Sequence, residues 1–287
     1  MVEKKDKCYL FNGVKEINKV ENTLGSQIEE IERNGYTILE DVLSPGETDS
    51  IGLKMDAIYQ KQTEDIGGEN KLLEIGDTDS VKHLVAYDET FLSVLANEKI
   101  LPIVRYFLKE YFILNLQNGV LNKPNVWNPA SLWHRDLFFQ HYTSSRPLSI
   151  SALFSVDDFT EETGGTYVLP GSQKHESFPT PEFTRKFEQQ LSIKKGSVIV
   201  FDSMMFHRAG FNQSGKIRRS ISNIYTLPFI SQQISLPRVL KGKYSDDPFL
   251  RKLFGYDCDT ADSLYAWRKE RLEVREGTGY DPSYEPK

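Results

Sequence analysis

The sequence predicts a mainly β protein, a sandwich or barrel of short strands with helices flanking it at both ends. Three observations predict it. From Tyr111 onward, β-prone runs are bounded by Gly, Pro and Asn, the texture of many short strands joined by turns. Before Tyr111, apolar residues recur at helical spacing behind a capping signal. After Asp247 helical spacing returns, with Leu250, Leu253 and Phe254 forming an apolar face.

Taken in order, Gln27 to Arg33 reads as a short helix stopped by Gly35, and Tyr36 to Leu39 as a strand. Ser44-Pro45-Gly46-Glu47 has the form of a capping box with Pro at the first helical position; Ile51, Met55 and Ile58 carry that helix to about Gln62. A further helical region spans about Glu89 to Lys109 and is interrupted near Pro102, which cannot donate a backbone hydrogen bond. Six β runs follow: Phe112 to Leu121, Ser131 to Phe139, Leu148 to Val156, Thr166 to Leu169, Ser197 to Phe201 and Arg218 to Pro228. The helical tail covers Asp247 to Glu273. No linker-like tract divides the chain, so one domain over 1–287 is expected, helical to about 110, β to about 230 and helical beyond.

A chain of 287 residues buries a sizeable core without a disulfide or structural metal. A net charge of -6 and a pI near 5.5 provide no electrostatic footprint for nucleic acid. The charged opening Met1 to Lys7 is followed by no apolar stretch fit for secretion or membrane spanning, so cytoplasmic residence is expected. Cys8 and Cys258 lack metal-ligand spacing and read as ordinary thiols.

The chemistry lies in two clusters. In Trp133-His134-Arg135-Asp136, a β conformation sends His134 and Asp136 to one face, where they can share a metal. With five histidines in the chain, an H-x-D pair arises by chance about one time in four, so the pair needs support. Support comes from Phe201 to His207, where the β-branched run Val198-Ile199-Val200 delivers a second histidine. Two His and one carboxylate make the facial set of non-haem iron oxygenases. The same donors also suit a catalytic zinc with bound water. Arg218, eleven residues after His207, favours a 2-oxo acid: in Arg218-Arg219-Ser220, alternation puts Arg218 and Ser220 on one face and Arg219 on the other. A guanidinium grips a carboxylate through two parallel hydrogen bonds, and a nearby hydroxyl adds a third.

From Asn34 to about Phe229 the chain resembles the phytanoyl-CoA dioxygenase family. The resemblance is carried by Asn34-Gly35-Tyr36-Thr37-Ile38-Leu39 before Ser44-Pro45, by Trp133 to Asp136, by Thr163-Gly164-Gly165-Thr166-Tyr167-Val168-Leu169-Pro170-Gly171-Ser172-Gln173-Lys174-His175, and by His207 with Asn212, Ser214 and Arg218. It implies a double-stranded β-helix, or jelly roll, with helices packed outside. It implies Fe(II) held by His134, Asp136 and His207, and 2-oxoglutarate held at its far carboxylate by Arg218. Ser220, Gln117 and Thr166 are further cosubstrate candidates, Gln117 by analogy with ectoine hydroxylase. His83, Phe138, Arg146 and Arg208 are candidates on the substrate side, while His141 and His175 read as polar loop histidines.

The implied reaction couples oxidation of 2-oxoglutarate by O2, giving succinate and carbon dioxide, to hydroxylation of a small-molecule C–H bond; ascorbate enters as an assay additive. Asp136 favours hydroxylation over halogenation, since related halogenases carry Gly or Ala there, while desaturation, epimerisation and ring chemistry use the same triad and stay open. Two other classes stand beside this one: a non-catalytic jelly-roll binding module, and a zinc hydrolase on the same donors. The substrate and the oligomeric state are not legible in the sequence.

Overall fold

The computed structural model describes residues 17–127 and 129–278, so Cys8 lies outside the described residues. The first helix, α1 (Thr23–Asn34), starts where Asn22 accepts a hydrogen bond from the Gly25 amide, and it stops at Gly35, whose φ of 93° is the left-handed conformation that favours glycine. Strand β1 (Tyr36–Leu39) follows, then α2 (Pro45–Asp65), slightly longer than expected. Ser44 and Glu47 form the reciprocal capping box with Pro45 in the first turn. Next come α3 (Glu69–Ile75), β2 (Ser80–Lys82), α4 (Leu84–Tyr87) and α5 (Leu92–Leu95). Pro102 does not break α6 (Leu101–Leu108); it lies in the first turn, where its missing N–H costs nothing.

The β region comprises β3 (Ile113–Asn122), β4 (Ser149–Ser155), β5 (Tyr167–Val168), β6 (Gln189–Gln190), β7 (Val198–Asp202), β8 (His207–Arg208) and β9 (Arg218–Thr226). Between β5 and β6 lies α7 (Pro181–Phe187). The expected tail helix is two pieces, α9 (Pro248–Leu253) and α10 (Leu264–Thr278), preceded by α8 (Leu236–Leu240); α9 ends just before Gly255, at φ 81°. No helix among the described residues is long and apolar enough to cross a membrane.

Two antiparallel sheets result, a large one in the order β1-β7-β4-β9-β3-β2 and a small one in the order β6-β5-β8. They make a jelly roll that is not a closed barrel. The large sheet has two unlike faces. On one, Ile150, Ala152, Phe154, Val198, Val200, Ile221 and Tyr225 are buried with Ile51, Met55, Phe91, Val94 and Leu95 of the helical layer in the main core. On the other, Ile199 and Phe201 pack with Val168, Leu191 and Met205 into a smaller core between the sheets. Arg219 is on the helix side, where Asp56 of α2 and Asp157 pair with it at 2.7 and 3.1 Å. Arg218, by alternation, faces the small sheet.

One expected strand is absent. Ser131 to Phe139 forms no regular strand: a short 3-10 turn at Pro129–Ser131 leads to a single bridge between His134 and His207. The aromatic residues that made this run look β-prone are not core. Phe138 and Phe139 are 78% and 68% exposed.

Candidate metal and cosubstrate site

The single bridge is what assembles the site. The His134 amide donates to the His207 carbonyl and the His207 amide to the His134 carbonyl, each at 3.0 Å, so two segments 73 residues apart become cross-strand neighbours. Two residues on, the Asp136 amide donates to the Ser203 carbonyl at 3.0 Å. One ligand atom from each of His134, Asp136 and His207 lies within 4.8 Å of the others. His207 Nε2 is 3.4 Å from an Asp136 oxygen.

The protonation of both imidazoles follows from their partners. His134 Nδ1 faces the Leu132 carbonyl at 2.7 Å and His207 Nδ1 faces the Met205 carbonyl at 3.0 Å. A carbonyl only accepts, so each Nδ1 carries a proton and Nε2 is the atom each ring turns to the cluster. Burial first, then the neighbouring His207, pushes His134 down to about 4. Burial alone would also lower His207, but the Asp136 carboxylate outweighs it and holds that imidazole above its ordinary value. For Asp136, burial pulls the carboxyl upward; His207, His134 and a hydrogen bond from the Ser151 hydroxyl outweigh it and leave it low and ionised. One imidazole held neutral, a second that a cation would free of its Nε2 proton, and one carboxylate suit a divalent metal.

Ser151 belongs to a run of hydroxyls that the sequence reading missed. Its Oγ is 2.7 Å from that of Ser203, and Ser203 is 2.7 Å from Ser149, which donates to the Tyr225 carbonyl. These serines fix the carboxylate from behind. The signal was present: Ser149-Ile150-Ser151-Ala152 alternates at period two, a hydroxyl face against an apolar one.

Farther along the same sheet face, Arg218 is only 2% exposed. It donates to the Ser220 hydroxyl at 3.3 Å and to the Gly164 carbonyl at 3.1 Å, and its guanidinium carbon stands 4.2 Å from the centre of the Phe159 ring. Its Nε has no partner, and it forms no ion pair among the described residues. Burial pushes it down to about 10, which still leaves it charged at neutral pH. A buried cation without a counter-ion is costly, and a ligand carboxylate removes that cost. Glycine makes the cradle possible: at φ 73°, a Cβ on Gly164 would collide with the Gly210 carbonyl and stand 2.9 Å from Asn122 Nδ2.

The other candidates are distributed unevenly. Ser220 is buried beside Arg218. Thr166 is buried just before β5, on the side of the inward-facing Val168 by alternation. Gln117 is not brought to this face. It pairs across strands with Asn223 on the helix side, where its Oε1 accepts from the Val85 amide and its Nε2 donates to the Phe91 carbonyl. The amide on the site face is that of Asn118, opposite Ser222, with a buried Oδ1 that has no partner. Arg208 faces outward, 3.8 Å over the Tyr167 ring and paired with Glu188 at 3.1 Å. Arg146 lines a separate cavity of about 370 Å³ with Lys174 and Asp202, away from the triad. His83 is buried at the end of β2 in the left-handed conformation, φ 48°, and Phe138 stands exposed two residues after Asp136.

The sequence profile of the phytanoyl-CoA dioxygenase (PhyH) family matches residues 31–220. An uncharacterized protein of Mycobacterium tuberculosis is 32% identical over 213 residues, spanning 72% of this chain and 76% of its own. The dioxygenase trt7 of Aspergillus terreus is 26% identical over 246 residues, 79% of this chain and 82% of its own. Among solved structures, the epimerase SnoN in complex with Fe3+, alpha ketoglutarate and nogalamycin RO shares the fold with a TM-score of 0.54 at 16% identity, covering 71% of this chain and 84% of that one. The chain belongs to the phytanoyl-CoA dioxygenase family and, with it, to the iron- and 2-oxoglutarate-dependent dioxygenases.

Proposed function

We propose that this protein hydroxylates a C–H bond of a small molecule, with His134, Asp136 and His207 holding Fe(II) and Arg218 with Ser220 holding the far carboxylate of 2-oxoglutarate. One observation carries the reading: three ligand atoms lie within 4.8 Å of one another around β8 of the small sheet, and from the facing side of the large sheet comes a buried guanidinium with no ion pair among the described residues. With ferrous iron bound, the available chemistry is oxidative decarboxylation of 2-oxoglutarate by O2 to succinate and carbon dioxide, the second oxygen atom entering a substrate C–H bond.

The residues divide the work. Both Nε2 atoms and one Asp136 oxygen would hold the metal, a three-donor set that would leave it free to take cosubstrate and oxygen as well. The Ser151 hydroxyl holds Asp136 ionised and oriented. Arg218 and Ser220 fix the oxo acid at its far end, so that its keto end is presented at the triad rather than free to rotate. Asn118 and Ser222, on the same face, are the polar groups we assign to the neighbouring part of the pocket. Asp136 itself favours hydroxylation, because a carboxylate in that place occupies a position a halide would need.

The test is a succinate-release screen with purified protein, Fe(II), ascorbate and oxygen against panels of small molecules, read together with product mass. Substrate-dependent succinate with a product one oxygen heavier supports hydroxylation. Succinate with a product of unchanged mass moves the reaction to epimerisation, the activity in SnoN's description. Turnover without oxygen or 2-oxoglutarate would replace the assignment with a hydrolase.

A further inference from the structure

Between the two ligands of the H-x-D pair stands a residue that the chemistry above does not use. Arg135 is 2% exposed, and no carboxylate among the described residues pairs with it. Its guanidinium is instead surrounded by backbone carbonyls. Nε donates to Met204 at 2.6 Å, one Nη to Gln140, to Tyr142 at 3.3 Å and to Glu176 at 3.1 Å, the other Nη to Ser172 at 3.1 Å and to His175. The guanidinium carbon lies 3.9 Å from the centre of the Phe206 ring.

Those six carbonyls come from three separate stretches. Met204 precedes the distal ligand His207 by three residues. Gln140 and Tyr142 belong to the loop that leaves Asp136 with Phe138 exposed on it. Ser172, His175 and Glu176 form the turn after β5, and the Ser172 hydroxyl accepts from the Phe206 amide at 2.8 Å. Asp202 and Glu176 favour the charge from a distance, but every hydrogen bond of the guanidinium goes to a main-chain carbonyl, so moving any one stretch strands donors in the interior. Metal ligands tolerate displacements of only about 0.5 Å.

We propose that Arg135 is a positioning residue: it fixes the two ligand-bearing segments relative to each other and couples metal binding to the order of the loop at 138–142 and the turn at 172–176. The inference rests on the triad being the metal site. It assigns a role to the Gly171–Glu176 stretch that supplies no ligand.

The experiment has two arms. In the first, Mn(II) affinity is measured on wild type, Arg135→Gln, Arg135→Lys and Asp136→Ala, well below each melting temperature. Both Arg135 variants are expected to bind Mn(II) about 10- to 100-fold more weakly, the size usual for a group that orients a ligand. Lysine keeps the charge but not the planar fork, so it does not restore binding. A purely structural role would lower the melting temperature and leave Mn(II) affinity as in wild type, which overturns the proposal. The second arm needs no variant: hydrogen exchange of wild-type protein, with and without Mn(II). Slower exchange at 138–142 and 172–176 on adding metal is expected; unchanged exchange in both stretches overturns the coupling even if the variants do not fold. If wild type binds no Mn(II), or Asp136→Ala binds it equally well, the metal assignment falls and this inference with it.

Discussion

The two faces of the large sheet use the same strands for opposite purposes. On the helix side, Ile150, Ala152, Phe154, Val198, Val200 and Ile221 are sealed against the helical layer, and Gln117, the Asn223 Nδ2 group and the Tyr225 hydroxyl bond to carbonyls and an amide of that layer. On the other side, Ser149, Ser151, Ser220 and Arg218 alternate with those residues and aim hydroxyls and a cation at the triad and its surroundings. A period of two lets one strand anchor the fold and carry chemistry at once.

This contrast is open to direct attack. The largest effect is expected from Asp136→Ala, which removes the only anionic ligand: succinate formation should fall to background with the melting temperature little changed, and retained iron-dependent turnover would refute the assignment. Phe154→Ala breaks the opposite face. It should cost about 3–5 kcal/mol of stability by denaturant titration, while Mn(II) affinity at low temperature stays as in wild type. Arg218→Ala should weaken 2-oxoglutarate binding by the equivalent of about 2–5 kcal/mol, measured by calorimetry with Mn(II) present, and Lys at that place should recover only part of it.

Two smaller effects sharpen the comparison. Burial, helped by Lys82, lowers His83 to about 4. The unfolded chain therefore binds a proton near pH 6.5 that the folded protein does not take up until about 4, so stability is full above pH 6.5 and falls as the pH drops toward 4. The loss is on the order of 3 kcal/mol. His83→Asn, which keeps a residue tolerant of the left-handed backbone, should flatten that window in pH-dependent unfolding. Ser151→Ala should weaken metal binding by about 10- to 100-fold with the fold intact, because it frees Asp136 without removing it.

The sequence made several features legible because local chemistry decides them. Ser44 and Glu47 cap α2 through hydrogen bonds within four residues. The opposite facing of Arg218 and Arg219 needs only strand alternation. Gln117, a cosubstrate candidate by analogy with ectoine hydroxylase, lies where alternation alone would mislead. Counted from Phe112 and Leu114, which face the helices, unbroken alternation would turn Gln117 toward the site. A register shift between Leu114 and Leu116 inserts one extra residue, moves every later side chain to the other face, and presents Asn118 instead. A bulge of this kind is fixed by pairing with β9, which no local pattern records. The segment around His134 fails for a related reason: Leu132, Phe138 and Phe139 read as strand residues, yet they are exposed at a rim, and what holds the segment is Arg135 and one bridge. The elements α3, β2 and α8, at seven, three and five residues, are too short for periodicity and owe their form to neighbours.

The most direct test titrates 2-oxoglutarate into anaerobic protein by calorimetry, with Mn(II) and without any metal, on wild type and on His207→Ala. The account predicts one-to-one binding by wild type that requires the metal and is absent in the variant. Equal binding without metal, or binding that survives loss of the 207 imidazole, would contradict it.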